Sequence, residues 1–293
     1  MIFRRTFFIT AFFLGLFFFF SPAGAFTIQP VRYRLTIDPG GSATARVAVL
    51  NDESAPHRFR ASVTGVEQDS AGRPLFGTFF NIAEDWVQPD KNTFFLEPGE
   101  KKLVTFTINV PPQADSGSHF LALVIEPSDV KNGEVGLSAR AAALLSLTVS
   151  GVVNEAVSID RFEPLARFSA SGEWPFTASL KNRGTVSVKL AGALIVKNAF
   201  GQIIAGPEAP LGNSVLPGSI RTITQKIELD RARFRLPGWY TVNLAVHYGL
   251  SKSVTEARAI VWYFPPWSAA AGLGLAGIIL LILLKKYYSK KSV

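Results

Sequence analysis

Between Phe26 and Pro266 apolar and polar residues alternate in short runs, and no stretch carries the period of an amphipathic helix. Segments 32–37, 43–50, 57–66, 102–110, 120–125 and 143–153 are rich in β-branched and aromatic residues. A period of two in such residues predicts half-buried strands. Segments 176–180, 186–196, 220–229, 240–247 and 257–263 read the same way. The turns are explicit. Asp38-Pro39-Gly40-Gly41 and Glu97-Pro98-Gly99-Glu100 place proline second and glycine third, the requirement of a type II turn, and Leu216-Pro217-Gly218 repeats the pattern. Asp69-Ser70-Ala71-Gly72 and Asn198-Ala199-Phe200-Gly201 read as a hairpin tip and a turn. Strands at this spacing predict a mainly β protein built of antiparallel sandwiches.

The landmarks recur in the same order in both halves. An asparagine closes an alternating strand (Asn51; Asn182), a glycine follows at a hairpin (Gly72; Gly201), then a Pro-Gly turn (Pro98-Gly99; Pro217-Gly218), then a glycine before an aromatic-led strand (Gly117; Gly238). Two tandem immunoglobulin-like sandwiches, 26–153 and 154–264, are the simplest account. The first is longer by about a dozen residues around 79–92, a loop or an added edge strand.

Two stretches break the alternation. Residues 267–284 carry no charge and are followed by Lys285, Lys286, Lys290 and Lys291. Eighteen residues at about 1.5 Å each cover roughly 27 Å, close to a hydrocarbon core, so 265–284 is predicted to span a membrane. Trp262, Tyr263, Phe264 and Trp267 are interfacial aromatics at one end, and the lysines of 285–293 mark a cytoplasmic tail at the other. At the start, Arg4 and Arg5, the apolar run 7–20 and Ala23-Gly24-Ala25 predict a signal peptide over 1–25, an uncleaved anchor being the other reading. Either way the body is exported, and with the signal removed the plasma membrane is crossed once, N-terminus outside and C-terminus in the cytoplasm.

The formal charge of +8 alters little, because two basic residues fall in the signal and four in the tail. A nearly neutral exported body excludes nucleic acid as the expected partner. With no cysteine there is no disulfide, and the length suffices for two domains of about 100 to 150 residues with cores of their own.

Catalytic chemistry is sparse, and the protein is expected not to be an enzyme. His57, His119 and His247 are scattered, no cofactor or metal site is expected, and Ser118-His119 lacks a nucleophile elbow. Glu84, Asp85 and Asp69 read as loop charges rather than a glycosidase pair, and Asp38 and Asp69 lack the dense acidic pattern of a calcium loop. The aromatics say more. Phe76, Phe79, Phe80, Trp86, Phe94 and Phe95 crowd the longer segment of the first sandwich, as core or as an exposed ligand-facing patch with Trp86 its anchor. Trp174 and Trp239 are expected as core or packing residues.

The run Asp38-Pro39-Gly40-Gly41 into Val47–Asn51, and Leu96-Glu97-Pro98-Gly99-Glu100 into Val104–Pro111, resembles the N-terminal domain of bacterial WxL-interacting, or DUF916-type, surface proteins, themselves similar to immunoglobulin-like pilus chaperones. The layout of signal, two sandwiches, one helix and a basic tail matches that family too. The glycine-rich segment such proteins carry near the sixth strand is here only Ser116-Gly117-Ser118-His119. The resemblance implies a membrane-anchored binding or scaffold protein at the cell surface, its partner peptidoglycan or another surface protein. The other reading is a tethered chaperone-like protein that holds a strand of a secreted or pilus subunit.

Overall fold

A computed structural model describes residues 26–77, 81–128, 139–205, 208–209, 211, 214–229, 236–250 and 252–289. The predicted signal 1–25 and the end of the lysine tail lie outside them. Among the described residues, 26–65, 81–112 and 120–146 form one compact unit, and 66–77, 113–119 and 147–289 form another.

The strands of the first sandwich make two sheets. One runs in the order β1 (Phe26–Gln29), β3 (Ser42–Asn51), β8 (Lys101–Asn109) and β6 (Val87–Pro89), all antiparallel. The other runs β2 (Arg32–Ile37), β10 (Ala141–Val149), β9 (Gly117–Pro127) and β4 (His57–Gln68), with β5 (Pro74–Phe76) and β7 (Thr93–Leu96) sharing the far edge of β4. The period of two sorts the side chains. Ala45, Val47, Val49, Val104, Phe106 and Ile108 are buried from the first sheet, and Phe59, Ala61, Leu121, Leu123 and Ile125 from the second. The rings of Phe26 and Phe59 meet edge-on across the layers at 5.1 Å.

The second sandwich pairs a three-stranded sheet, β11 (Val157–Pro164), β13 (Glu173–Asn182) and β17 (Ile220–Glu228), with a larger one. That sheet runs β12 (Phe168–Ser169), β19 (Ser253–Tyr263), β18 (Gly238–Tyr248) and β14 (Leu190–Lys197), and both β15 (Ile203–Ala205) and β16 (Glu208–Ala209) lie along β14. Within this sheet β12 and β19 pair in parallel and the other pairs are antiparallel. The core gathers around Trp174, whose ring lies 6.2 Å from that of Tyr240 and 6.3 Å from that of Tyr263.

The predicted turns form as their residues demand. Gly41 N–H donates to Asp38 O at 2.9 Å, Glu100 N–H to Glu97 O at 3.0 Å and Ser219 N–H to Leu216 O at 3.1 Å. Gly99 and Gly218 both adopt φ 74°, where a side chain would strain the backbone. The tips at Asp69 and Asn198 also match: Gly72 N–H donates to Asp69 O at 2.8 Å and Gly201 N–H to Asn198 O at 2.9 Å.

After the second sandwich comes helix α1 (Pro266–Ser289). Its apolar part, Pro266–Lys285, has mean hydropathy 2.3 over 20 residues, and none of it is buried against the protein. At about 1.5 Å per residue it covers about 30 Å, long and apolar enough to span a membrane.

Candidate binding surface

The segment that lengthens the first sandwich is folded. Ile82–Glu84 form a single 3-10 turn capped on both sides. Asn81 Oδ1 accepts from Ala83 N–H at 3.0 Å, and Glu84 Oε1 accepts from Asn81 N–H and Gly65 N–H at 2.9 Å each. Asn109 N–H then donates to Trp86 O at 2.8 Å, and β6 joins the edge of β8. The added residues are therefore an edge strand and its lead-in.

This folding redistributes the six aromatics. Trp86 is only 9% exposed, so the expected anchor is a buried side chain. Phe94 is buried too, stacked on Phe59 at 5.7 Å. The reason is the alternation of β7, which turns Phe94 and Leu96 inward and leaves Phe95 exposed. Phe76 is also exposed. Phe95 and Phe76 pair with Arg58 and Val66, different stretches of β4. Phe79 and Phe80 lie outside the described residues. The four described aromatics thus divide into a buried pair and two separate exposed rings.

The polar candidates are engaged structurally. Glu84 serves the cap, and Asp69 accepts from Arg73 Nε at 2.7 Å and from Arg73 N–H at 2.8 Å. The Arg73 backbone bond above all holds the Asp69 carboxyl below its usual pKa. Ser118 N–H donates to Thr185 O at 2.8 Å, and burial pushes the His119 pKa down. Among the described residues no group of three His, Asp or Glu gathers around a metal-sized space.

Two surfaces stand out; the sequence reading reached only Trp262 and Phe264 of the second, as interfacial aromatics, and grouped with them Tyr263, whose ring instead packs inward on Trp174. The first is the outer edge of β17. This nine-residue strand pairs with β13 along its whole length, and among the described residues no strand pairs with its other side. Thr222 N–H points to that outer side, where Ser70 O of the second unit accepts it at 2.7 Å. By the two-residue period, the backbone groups of Thr224, Lys226 and Glu228 point the same way. Lys226 Nζ lies 2.8 Å from Glu173 Oε2 and 2.7 Å from Glu228 Oε1, and these carboxylates, Glu173 first, raise its pKa. Charge beside an open edge discourages indiscriminate pairing.

The second surface is aromatic. Trp239, expected as a core or packing residue, is 48% exposed, and its ring packs edge-on against Trp262 at 5.9 Å. Its neighbour Tyr240 takes the inward position, packed with Trp174. The signal was in the sequence: Trp262 and Phe264, two residues apart in an alternating run, fall on one face.

No family model matches the chain, and no curated protein does, so the likeness to WxL-interacting proteins rests on the motifs alone. Solved structures that align with this chain include fimbrial chaperones, an ASH/PapD-like domain of human CEP192 and a family 123 glycoside hydrolase from Clostridium perfringens. The class 5 fimbriae chaperone CfaA is 13% identical over 82% of this chain and 100% of its own, with TM-score 0.44. A chaperone–tip subunit pre-assembly complex of the archaic Csu pili of Acinetobacter baumannii is 15% identical over 68% of this chain and 89% of that one, with TM-score 0.38. The E. coli chaperone DraB is 11% identical over 80% and 96%, with TM-score 0.37.

Proposed function

We propose that this chain is a membrane-anchored, non-enzymatic binding protein that holds an extended segment of another exported protein along the open edge of β17. In this reading α1 crosses the plasma membrane once, with the sandwiches outside and the lysine tail in the cytoplasm. The supporting observation is the edge itself. Beyond Thr222 it offers outward donors and acceptors in register for an added strand, the geometry of β-augmentation. The corresponding edge in the first sandwich, that of β8, is already paired with β6. The aromatic patch around Trp86, offered for a glycan or a protein partner alike, has Trp86 and Phe94 buried, which favours the β17 edge as the binding element.

The test is Thr224→Pro in the full chain. Thr224 N–H points away from β13, so proline there removes an outward donor and leaves the β13 ladder intact. Each lost bond is worth about 1 kcal/mol, so partner recovery should fall about fivefold with melting unchanged. A photo-cross-linker at Lys226 should then report an extended peptide of a single exported protein. Undiminished recovery by the proline variant would overturn the proposal.

A further inference from the structure

Exposed aromatics of the second sandwich, joined through the half-buried Trp262, form a continuous row at one end of its larger sheet. Register places Phe168 opposite Trp262 on β12 and β19, and Trp262 opposite Trp239 on β19 and β18, so three rings run across three adjacent strands. Phe264, two residues beyond Trp262, stacks on it at 5.9 Å with planes 7° apart, and on Phe168 at 6.3 Å. The rings are not there to fill a core, since Phe168 is 66% and Phe264 45% exposed. Inward positions beside them are held by Tyr240 and Tyr263, whose rings pack with Trp174. Cross-strand aromatic pairing alone stabilises a sheet, but it does not call for a row left half in solvent.

The position of the row within the chain identifies its surroundings. Phe264 is two residues before Pro266, so its Cα lies within about 7 Å of the first residue of α1. The apolar part of α1 covers about 30 Å, the full thickness of a hydrocarbon core, and leaves no slack to lift its start away from the membrane. The zone between hydrocarbon and water is about 5 to 7 Å deep on each side. Flat rings with one polar edge, tryptophan above all, favour that zone. The opposite end of the β18–β19 hairpin, where Tyr248 pairs with Ser253, is ten residues away, about 34 Å along the strands.

We infer that the row Phe168–Trp262–Trp239, with Phe264, lies in the headgroup zone of the bilayer that α1 crosses, so that the second sandwich rests on the membrane by this end of its larger sheet. This rests on the reading of α1 as a membrane span. The inserted helix then provides the tether and the row provides orientation, holding the sheet at a fixed tilt.

The chain has no cysteine, so single-cysteine variants of the full protein can carry a nitroxide at chosen depths. Phe168→Cys reports the row, Leu250→Cys the far hairpin end and Leu280→Cys the helix. The labelled proteins are reconstituted in vesicles of phosphatidylcholine and phosphatidylglycerol, and accessibility to oxygen is compared with accessibility to a water-soluble nickel chelate. The expected result is a high oxygen-to-nickel ratio at 280, a severalfold lower but clearly lipid-like ratio at 168, and a water-like ratio at 250. A lipid-like value at 280 with 168 as wet as 250 overturns the inference and leaves the span standing. A water-like value at 280 overturns both. Shielding at 168 that appears only when soluble wall glycan is added assigns the row to sugar stacking and also overturns it.

Discussion

The two sandwiches share one corner and differ at one edge. In the first, the buried Asn51 side chain donates to Ala55 O at 2.9 Å and Leu96 O at 3.2 Å, and its Oδ1 accepts from Glu53 N–H at 3.1 Å. In the second, the buried Asn182 donates to Val186 O at 2.8 Å and Val215 O at 2.9 Å, and accepts from Gly184 N–H at 2.9 Å. The backbone repeats the match: Gly99 N–H donates to Asn51 O and Gly218 N–H to Asn182 O, at 2.8 and 2.9 Å. One buried amide thus ties a strand end to the Pro-Gly turn that launches β8 in one half and β17 in the other. Between these matched points the first sandwich adds β6, which covers β8, and the second leaves β17 open. The same core therefore carries a closed edge in one copy and an available edge in the other.

The largest expected effect tests the shared corner. Asn51→Ala and Asn182→Ala each leave a buried carbonyl, Leu96 O or Val215 O, and two further backbone groups without their partner, at a cost of about 3 kcal/mol. Amide exchange of the full chain, read strand by strand, should show β3 and β8 loosened by the first change and β13 and β17 by the second, to similar extents. Loss of protection spread equally over both sandwiches, or confined to one for both variants, breaks the equivalence.

The turns give a smaller effect. A Cβ added at Gly99 or Gly218 meets nothing within 4 Å, so the cost of Gly99→Val or Gly218→Val is backbone strain alone, about 1 to 2 kcal/mol. Asparagine, which tolerates positive φ, should cost less than valine at both sites. Urea titration followed by segment-resolved exchange checks this, and equal costs for asparagine and valine would mean that φ is not what glycine supplies.

Local signals in the chain carried most of this architecture. Pro-Gly at fixed positions specifies φ at one residue, and alternation specifies which face of β3 or β8 is buried, so turns and long strands were readable without tertiary knowledge. Placement of single aromatics was not. Trp86, readable as core or as the anchor of an exposed patch, is buried, whereas Trp239, readable as a core or packing residue, packs on Trp262 with 48% exposure. Each is decided by register: Trp86 leads into β6, whose position depends on pairing with β8 some twenty residues later in the chain, and Trp239 depends on its alignment with Trp262. Edge availability is likewise a statement about which strand is missing from a sheet, and no local pattern encodes that. The short strands β1, β5, β7, β12, β15 and β16 escaped for the same reason, being too brief to show a period.

The smallest effect separates the two hairpin tips, which share a backbone but not a charge. At the first, Asp69 accepts from Arg73 N–H at 2.8 Å; at the second, Asn198 Oδ1 accepts from Gln202 N–H at 2.9 Å. The Asp69 pKa is lowered from 3.8, first by the Arg73 backbone bond; desolvation, next in size, opposes this, and the Arg73 side chain adds to the lowering. A carboxyl with a depressed folded pKa supports its tip fully above the unfolded value of 3.8, and that support disappears as pH falls through the lower folded value. Asn198 does not titrate, so its tip should be indifferent to acid. Exchange of the Gly72 and Gly201 amides, each corrected for its intrinsic rate, should therefore diverge as pH is lowered from about 6 to about 3, with Gly72 opening more. Asp69→Asn should remove the divergence by making the first tip chemically like the second. Parallel loosening of both tips in the parent would show that acid acts on the sandwiches as a whole, and that the carboxylate at Asp69 adds nothing an amide does not.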